Sequence, residues 1–299
     1  MSVLVVGTVA LDTVQSPFGK VKDTLGGSAA YFAVAASCFA KVKLVSIVGD
    51  DFPRKFITFL QTRGIDIKGL QIKAGKTFRW SGRYSYNLNS AETLKTELNL
   101  LAHFNPILPA EYKNEEFVFL ANIDPQAQLK VLRQLKGPKL VACDTMNYWI
   151  EHEKEALKRV FKKSDIVILN DSEAREFSRQ SNLVKAAKML LGLGPRLVIV
   201  KRGEYGCSLF SRSFSFYLPA YLLEKAQDPT GAGDTFAGGF LGYLASCRNI
   251  SEFSFKKAVV FGTIMASYTV EDFSLKRLKK VTGKDIKARF RNFQRVTRF

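Results

Sequence analysis

Short apolar runs recur along the chain, and nearly all of them stop at polar residues or glycine. Val3–Val6 leads to Gly7 and Asp12, Val42–Val48 to Gly49-Asp50-Asp51, and Phe117–Leu120 to Asn122 and Asp124. Lys139–Ala142 leads to Asp144 and Asn147, Ile166–Leu169 to Asn170 and Glu173, and Leu197–Val200 to Lys201 and Gly203. Continuous apolar runs separated by helix-like segments predict parallel strands buried on both faces. Ligands of such sheets bind at the carboxyl ends of the strands, so these polar residues should collect along one crevice. From Gly69 to Tyr86 the pattern alternates instead. Phe78, Trp80, Tyr84 and Tyr86 share one parity, and Thr77, Arg79, Ser81, Arg83 and Ser85 the other. A strand with two unlike faces is predicted there. Together with Thr13–Lys22 it would build a small sheet from about 13–24 and 69–100, projecting from the main body.

The most specific string is Asp228-Pro-Thr-Gly-Ala-Gly-Asp-Thr-Phe-Ala-Gly-Gly-Phe240. Gly231, Ala232 and Gly233 carry little or no side chain and open a small-residue run that reads as a buried helix. Backbone N–H groups and a helix N-terminus therefore converge on one point, which should hold an anion. A carboxylate beside a bound phosphate is unfavourable as a purely structural element. Asp234 is better explained as the base for a nucleophile attacking that phosphate. An isolated GxGD would more often be a glycine turn capped by an acid; the thirteen-residue string is more specific than that.

Bulk properties bound this reading without choosing it. A chain of 299 residues, 46% hydrophobic, can bury a core as one large α/β domain or two smaller ones. No linker, repeat or low-complexity segment divides it, so one domain over 1–299 is expected. Cys38, Cys143, Cys207 and Cys247 form no CxxC pair, which argues against a zinc site or a disulfide framework and fits a reduced, cytoplasmic setting. The N-terminus has no basic n-region, and the Ala29–Ala40 run is too short to span a bilayer, so neither secretion nor membrane insertion is expected. The formal charge of +18 raises nucleic acid or an anionic surface as partners. Much of it lies in 276–299, where Ile286, Phe290 and Phe293 recur at helical spacing while Lys287, Arg289, Arg291 and Arg295 face elsewhere. This reads as an amphipathic C-terminal helix with a solvated basic face, and nucleic acid is not expected as a partner.

The Asp228–Phe240 string resembles the C-terminal signature of the PfkB family of carbohydrate and nucleoside kinases, which includes ribokinase and adenosine kinase. The resemblance spans roughly 1–275. It implies a ribokinase-like three-layer αβα fold with a mainly parallel central sheet and a small β-sheet lid, which in the family often doubles as a dimerisation surface. It also implies ATP and Mg2+.

Other positions gain meaning beside that string. Asp12 and Gly26-Gly27-Ser28 suit a polyol, because a carboxylate accepts two neighbouring hydroxyls and glycines allow close backbone approach. They resemble the family's substrate-binding elements. Arg79, Asn122 and Asn147 join them as candidate substrate contacts. Many sugar kinases of the family carry Asn where this chain has Tyr31, so that hydroxyl contact is missing or replaced. Asn170-Asp171-Ser172-Glu173 is N-x-x-E, commonly a helix cap; here it resembles the family's magnesium and phosphate motif, with Glu173 holding the ion through water and Asn170 near the nucleotide. Lys201, Gly203 and Gly206 match the segment that contacts ATP, and no Walker A sequence is present. Gly262 and Ser267 lie where the family places its adenine pocket, although small residues there would equally suit helix packing. Asp228 and the Thr230 carbonyl resemble positions that bind a monovalent cation, K+, in some members.

A sugar kinase is the first reading. A nucleoside kinase is the second, because Phe78, Trp80 and Tyr84 could stack a base. A phosphosugar kinase is the third, resting on Arg79 and Arg83. A non-catalytic RNA- or surface-binding protein on a kinase scaffold is the alternative from another class, and intact Asp234 and Glu173 count against it.

Overall fold

The computed structural model describes residues 1–297. In chain order its elements are β1 Ser2–Val6, β2 Ala10–Ser16, β3 Gly19–Gly26, α1 Ser28–Ala36, β4 Lys41–Gly49, α2 Arg54–Thr62, β5 Ile65–Lys73, β6 Arg79–Tyr84, β7 Ala91–Glu97 and β8 Phe117–Leu120. There follow α3 Pro125–Gln134, β9 Leu140–Cys143, α4 Asn147–His152, α5 Lys154–Lys162, β10 Ile166–Asn170, α6 Asp171–Ser178, α7 Leu183–Gly192, β11 Leu197–Lys201, β12 Cys207–Phe210 and β13 Ser215–Leu218. Three helices close the chain: α8 Ala232–Ser246, α9 Glu252–Thr269 and α10 Gly283–Thr297.

Nine strands form one sheet in the order β13-β12-β11-β10-β9-β8-β1-β4-β5. It is parallel from β5 to β11, and only the β11-β12-β13 edge is antiparallel. All six apolar runs are strands of this sheet, side by side apart from the edges. Alternate residues feed two cores: Val3 and Val5 pack with α1, α8 and α9, while Leu4 and Val6 pack with α3, α5, α6 and α7. Burial on both faces is what makes these strands apolar throughout.

The second sheet has four strands, β3-β2-β6-β7. Its limits differ from the sequence expectation. It opens at Ala10 and closes its first hairpin at Gly26, so Asp12 lies within a strand of the small sheet. Residues 69–73 belong to β5, which pairs with β4 at the edge of the large sheet. The alternating stretch is therefore two strands in two sheets, and only Arg79–Tyr84 of it belongs to the small one. An edge strand has one face buried and one solvated, so β5 also alternates and is hard to separate from β6 by pattern alone.

Helix α8 lies buried between α1 and α9. Its glycines explain the small-residue run: a Cβ at Gly238 would overlap the Phe32 carbonyl oxygen of α1, one at Gly239 would come within 2.8 Å of Met265 in α9, and one at Gly242 within 2.9 Å of Ala36. The helix that the glycine turn opens is thus clamped on two sides, which fixes the direction of its N-terminus.

The basic C-terminal segment begins as a 3-10 turn at Leu278–Lys280, and its helix starts only at Gly283. Ile286 and Phe293 are buried as expected, but Arg289 does not face solvent with the other basic residues. Its guanidinium stacks 3.6 Å from the Tyr268 ring centroid and donates to Ser267 Oγ and Glu271. Residues 298–299 of the expected helix lie outside the described residues. Among the described residues no helix is long and apolar enough to cross a membrane.

Replacing Gly238 with Val should force α8 away from α1 and lower unfolding stability by about 2–3 kcal/mol. Urea denaturation checks this, as a lower midpoint with an unchanged slope.

Candidate active site

Three adjacent strands deliver charge to one place. Lys201 ends β11 and pairs in register with Asn170, the last residue of β10. Asp144 follows β9 directly. The Lys201 ammonium reaches Asp144 Oδ2 at 3.2 Å and lies 2.8 Å from where a Cβ on Gly233 would be. It therefore sits against the glycine turn that opens α8. Asp234 stands in the first turn of that helix.

These acids share a problem. Loss of hydration raises the Asp234 pKa to about 7 and the Glu173 pKa to about 8; the Asp144 charge adds to both, and Lys201 opposes both. Fully ionised, three carboxylates about one ammonium would carry net negative charge that a divalent cation would relieve. Among the described residues no group of three acids, histidines or cysteines could hold a metal by itself. The donor set therefore fits magnesium shared with water and phosphate oxygens, the coordination that ion prefers. The N-x-x-E segment is also a capping box: Asn170 Oδ1 accepts from Glu173 N–H, and Glu173 Oε2 accepts from Asn170 N–H, both at 2.8 Å. The cap is what turns Glu173 inward, so its two readings are one geometry.

Gly231 has φ of 75°, and a Cβ there would overlap the Tyr31 ring. Tyr31 is therefore the floor of the glycine turn, where any larger residue than glycine at 231 is excluded. Its buried hydroxyl has no hydrogen-bond partner among the described residues.

Asp12 is buried beside Gly26 and Gly27, with its pKa raised to about 7 chiefly by loss of hydration. A Cβ on Gly26 would overlap its carboxylate. Ser28 is engaged internally: its amide donates to Thr8 Oγ1 at 2.8 Å, and its hydroxyl meets the same oxygen at 3.0 Å. Asn122 accepts from the Trp149 indole at 3.0 Å, and Asn147 donates to Glu176 at 2.9 Å on the exposed rim.

Strand β6 settles which of its faces looks where. Asp12 and Trp80 are register partners in adjacent parallel strands, so their side chains share a face. The Tyr84 hydroxyl accepts from Thr230 Oγ1 at 3.2 Å, joining that face to the glycine turn. Arg79 points the other way and is held by Asp23 and Asp51, and Arg83 pairs with Glu92 at 2.8 Å. Arg79, expected at the substrate, is thus neutralised by two carboxylates behind the sheet.

Three further positions have packing or hydrogen-bonding partners of their own. A Cβ on Gly262 would come within 2.8 Å of the Phe236 carbonyl oxygen, so this glycine serves α8–α9 packing. Ser267 is buried between the Ile264 carbonyl and Arg289. The carboxylate oxygens of Asp228 each accept a backbone N–H, from Thr230 and from Ser274, at 2.9 Å. That donor set ties the turn to the C-terminal segment. Lys201 and the Gly203–Gly206 turn, by contrast, flank the same crevice as Glu173 and Asp234, with Gly206 closing the turn at φ of 85°.

Sequence reading placed Asp144 in the crevice as the first polar residue after an apolar strand but gave it no role, and it passed over Tyr84 as a hydroxyl partner of Thr230, and Ser274. The other two depend on contacts distant in sequence.

A model of the pfkB family of carbohydrate kinases matches residues 3–278. The chain belongs to the PfkB family. It is 33% identical to a cytidine kinase of Thermococcus kodakarensis over 84% of this chain and 91% of that protein. It is 26% identical to an inositol 3-kinase of Arabidopsis thaliana over 93% of this chain and 78% of that one. A structure from E. coli described as a ribokinase II in complex with ATP and Mg2+ superposes with a TM-score of 0.79 at 19% identity, covering 97% of this chain and 99% of that one. This PfkB chain therefore has the ribokinase-like fold and is a phosphotransferase with a hydroxyl acceptor.

The raised Asp234 pKa has a thermodynamic sign. The unfolded carboxyl ionises near 3.8 and the folded one near 7, so the folded state binds the proton more tightly. The contribution to stability is full below the lower value and is lost as pH rises through the upper one. Asp234→Asn should therefore melt several degrees above the unsubstituted protein at pH 8, with the gap closing toward pH 4. Thermal unfolding at the two pH values checks it.

Proposed function

We propose that this PfkB kinase transfers the γ-phosphoryl group of ATP to a sugar hydroxyl of a nucleoside. The observation that carries the reading is the orientation of β6. Its aromatic face, Trp80 and Tyr84, lies on the Asp12 side, while Arg79 and Arg83 are behind and paired with acids. A phosphosugar would need a free arginine; a base needs a flat apolar face. The likeness to the cytidine kinase favours the same class. A plain sugar kinase is the second reading, favoured by Asp12 and by the likeness to the inositol kinase, since an acid that accepts two ribose hydroxyls suits a free sugar as well.

In this mechanism Asp12 accepts the neighbouring hydroxyls and orients the sugar, with Gly26 and Gly27 leaving room for it. Asp234 takes the proton of the attacking hydroxyl as its oxygen bonds to the γ-phosphorus and the bond to the ADP oxygen breaks. The N–H groups of Gly231, Ala232 and Gly233 and the α8 terminus donate to the phosphoryl oxygens. Magnesium supplies charge neutralisation of the phosphates when bound, and Glu173, with Asp144, would hold it through water. Lys201 balances the acids between turnovers and meets phosphate during them. The four-stranded sheet acts as a lid, excluding water that would otherwise compete as nucleophile.

Asp234→Asn should lower kcat at least about a hundredfold, the usual cost of removing a general base. A coupled assay with ATP, Mg2+ and a panel of nucleosides, sugars and sugar phosphates measures it. On the same panel Trp80→Ala should raise KM for nucleosides about tenfold or more, in line with one stacked base, and leave KM for any free sugar nearly unchanged. Equal effects on both classes would favour the sugar reading.

A further inference from the structure

The hairpin between β6 and β7 reaches beyond the substrate side of the cleft. At its tip, Asn89 N–H donates to Asn87 Oδ1 at 3.1 Å, which folds the turn. The Asn89 side chain then meets the loop between β11 and β12. Its Nδ2 donates to Glu204 Oε1 at 2.8 Å, and its Oδ1 accepts from Glu204 N–H at 3.4 Å. Gly203 permits the approach: it has φ of 54°, and a Cβ there would overlap Asn89 Oδ1. The same hairpin carries Tyr84, bonded to Thr230 beside the anion-binding turn. Its base is tied to the large domain by Arg79 and Asp51. One segment thus touches Asp51 after β4, the glycine turn that opens α8 and the Gly203–Gly206 loop.

We propose that Asn89 and Glu204 form a latch by which the β6–β7 hairpin and the Gly203–Gly206 loop position each other, so that nucleotide on the loop closes the sheet over the acceptor. Asn89 is a positioning residue here, with no contact to reacting atoms. The inference rests on the reading that the Gly203–Gly206 loop contacts ATP. Both partners are exposed, so the bond is of modest strength. A contact of this kind shifts a two-state equilibrium severalfold, enough to tune closure and too little to hold it shut.

Chemistry of the pair provides a test. Asn89→Asp sets two carboxylates against each other, and adding Glu204→Gln restores an amide–carboxylate pair in the opposite sense. Hydrogen–deuterium exchange of the full chain, with and without a non-hydrolysable ATP analogue, reads both ends of the latch. In the unsubstituted protein the analogue should slow exchange at 201–207 and at 85–91. In Asn89→Asp the first protection should persist and the second should fall about fivefold, with KM for ATP rising to a similar degree. The double variant should recover both. Protection of 85–91 that ignores Asn89→Asp, or that the double variant fails to restore, overturns the latch. No protection at 201–207 in the unsubstituted protein overturns the loop's assignment to ATP, and the latch with it.

Discussion

The structure depends on one electrostatic concentration. Asp144, Glu173 and Asp234 are brought around the Lys201 ammonium, next to the glycine turn that opens α8. Taken singly, buried Glu173 and Asp234 destabilise the fold, because desolvation favours their neutral forms. Together they make a place where an added cation and a phosphoryl group restore balance. The chain keeps this arrangement at some cost to its own stability, as expected where activity depends on pKa values near neutrality.

Everything around that point serves to hold it still. Parallel strands β9, β10 and β11 end side by side, so residues distant in sequence arrive within one crevice. The capping box fixes Glu173 to the start of α6. Helix α8 is clamped by α1 and α9 through glycines that let the backbones approach, and Tyr31 closes the floor beneath Gly231. The C-terminal helix contributes through Arg289, stacked on Tyr268, so part of the conspicuous positive charge is structural.

Much of this was legible in the sequence because it is local. Six apolar runs pointed to the parallel sheet, and the Asp228–Phe240 string to the glycine turn that opens a buried helix with an acid in its first turn. N-x-x-E was readable as cap or ligand, and the cap is present, with Glu173 buried beside Lys201. What escaped was decided by partners far along the chain. Nothing near Arg79 in sequence announces Asp23 and Asp51, nothing near Asp228 announces Ser274, and nothing near Ser267 announces Arg289. β5 and β6 share an alternating pattern because one is an edge strand and the other is in a two-faced sheet, and periodicity cannot separate those cases. The aromatic face of β6 was visible as a face, but its direction needed the register of Asp12 against Trp80.

The central claim is that Lys201 holds the acid cluster in its working state, keeping Asp234 ionisable near neutral pH. The pH dependence of kcat/KM for Lys201→Met tests it most directly, since that profile reports groups of the free enzyme. Loss of the ammonium leaves the three carboxylates uncompensated, so the ascending limb should move to higher pH by at least about one unit. A limb that stays in place while the rate falls would mean that Lys201 acts on phosphate alone and that the cluster is not organised around it.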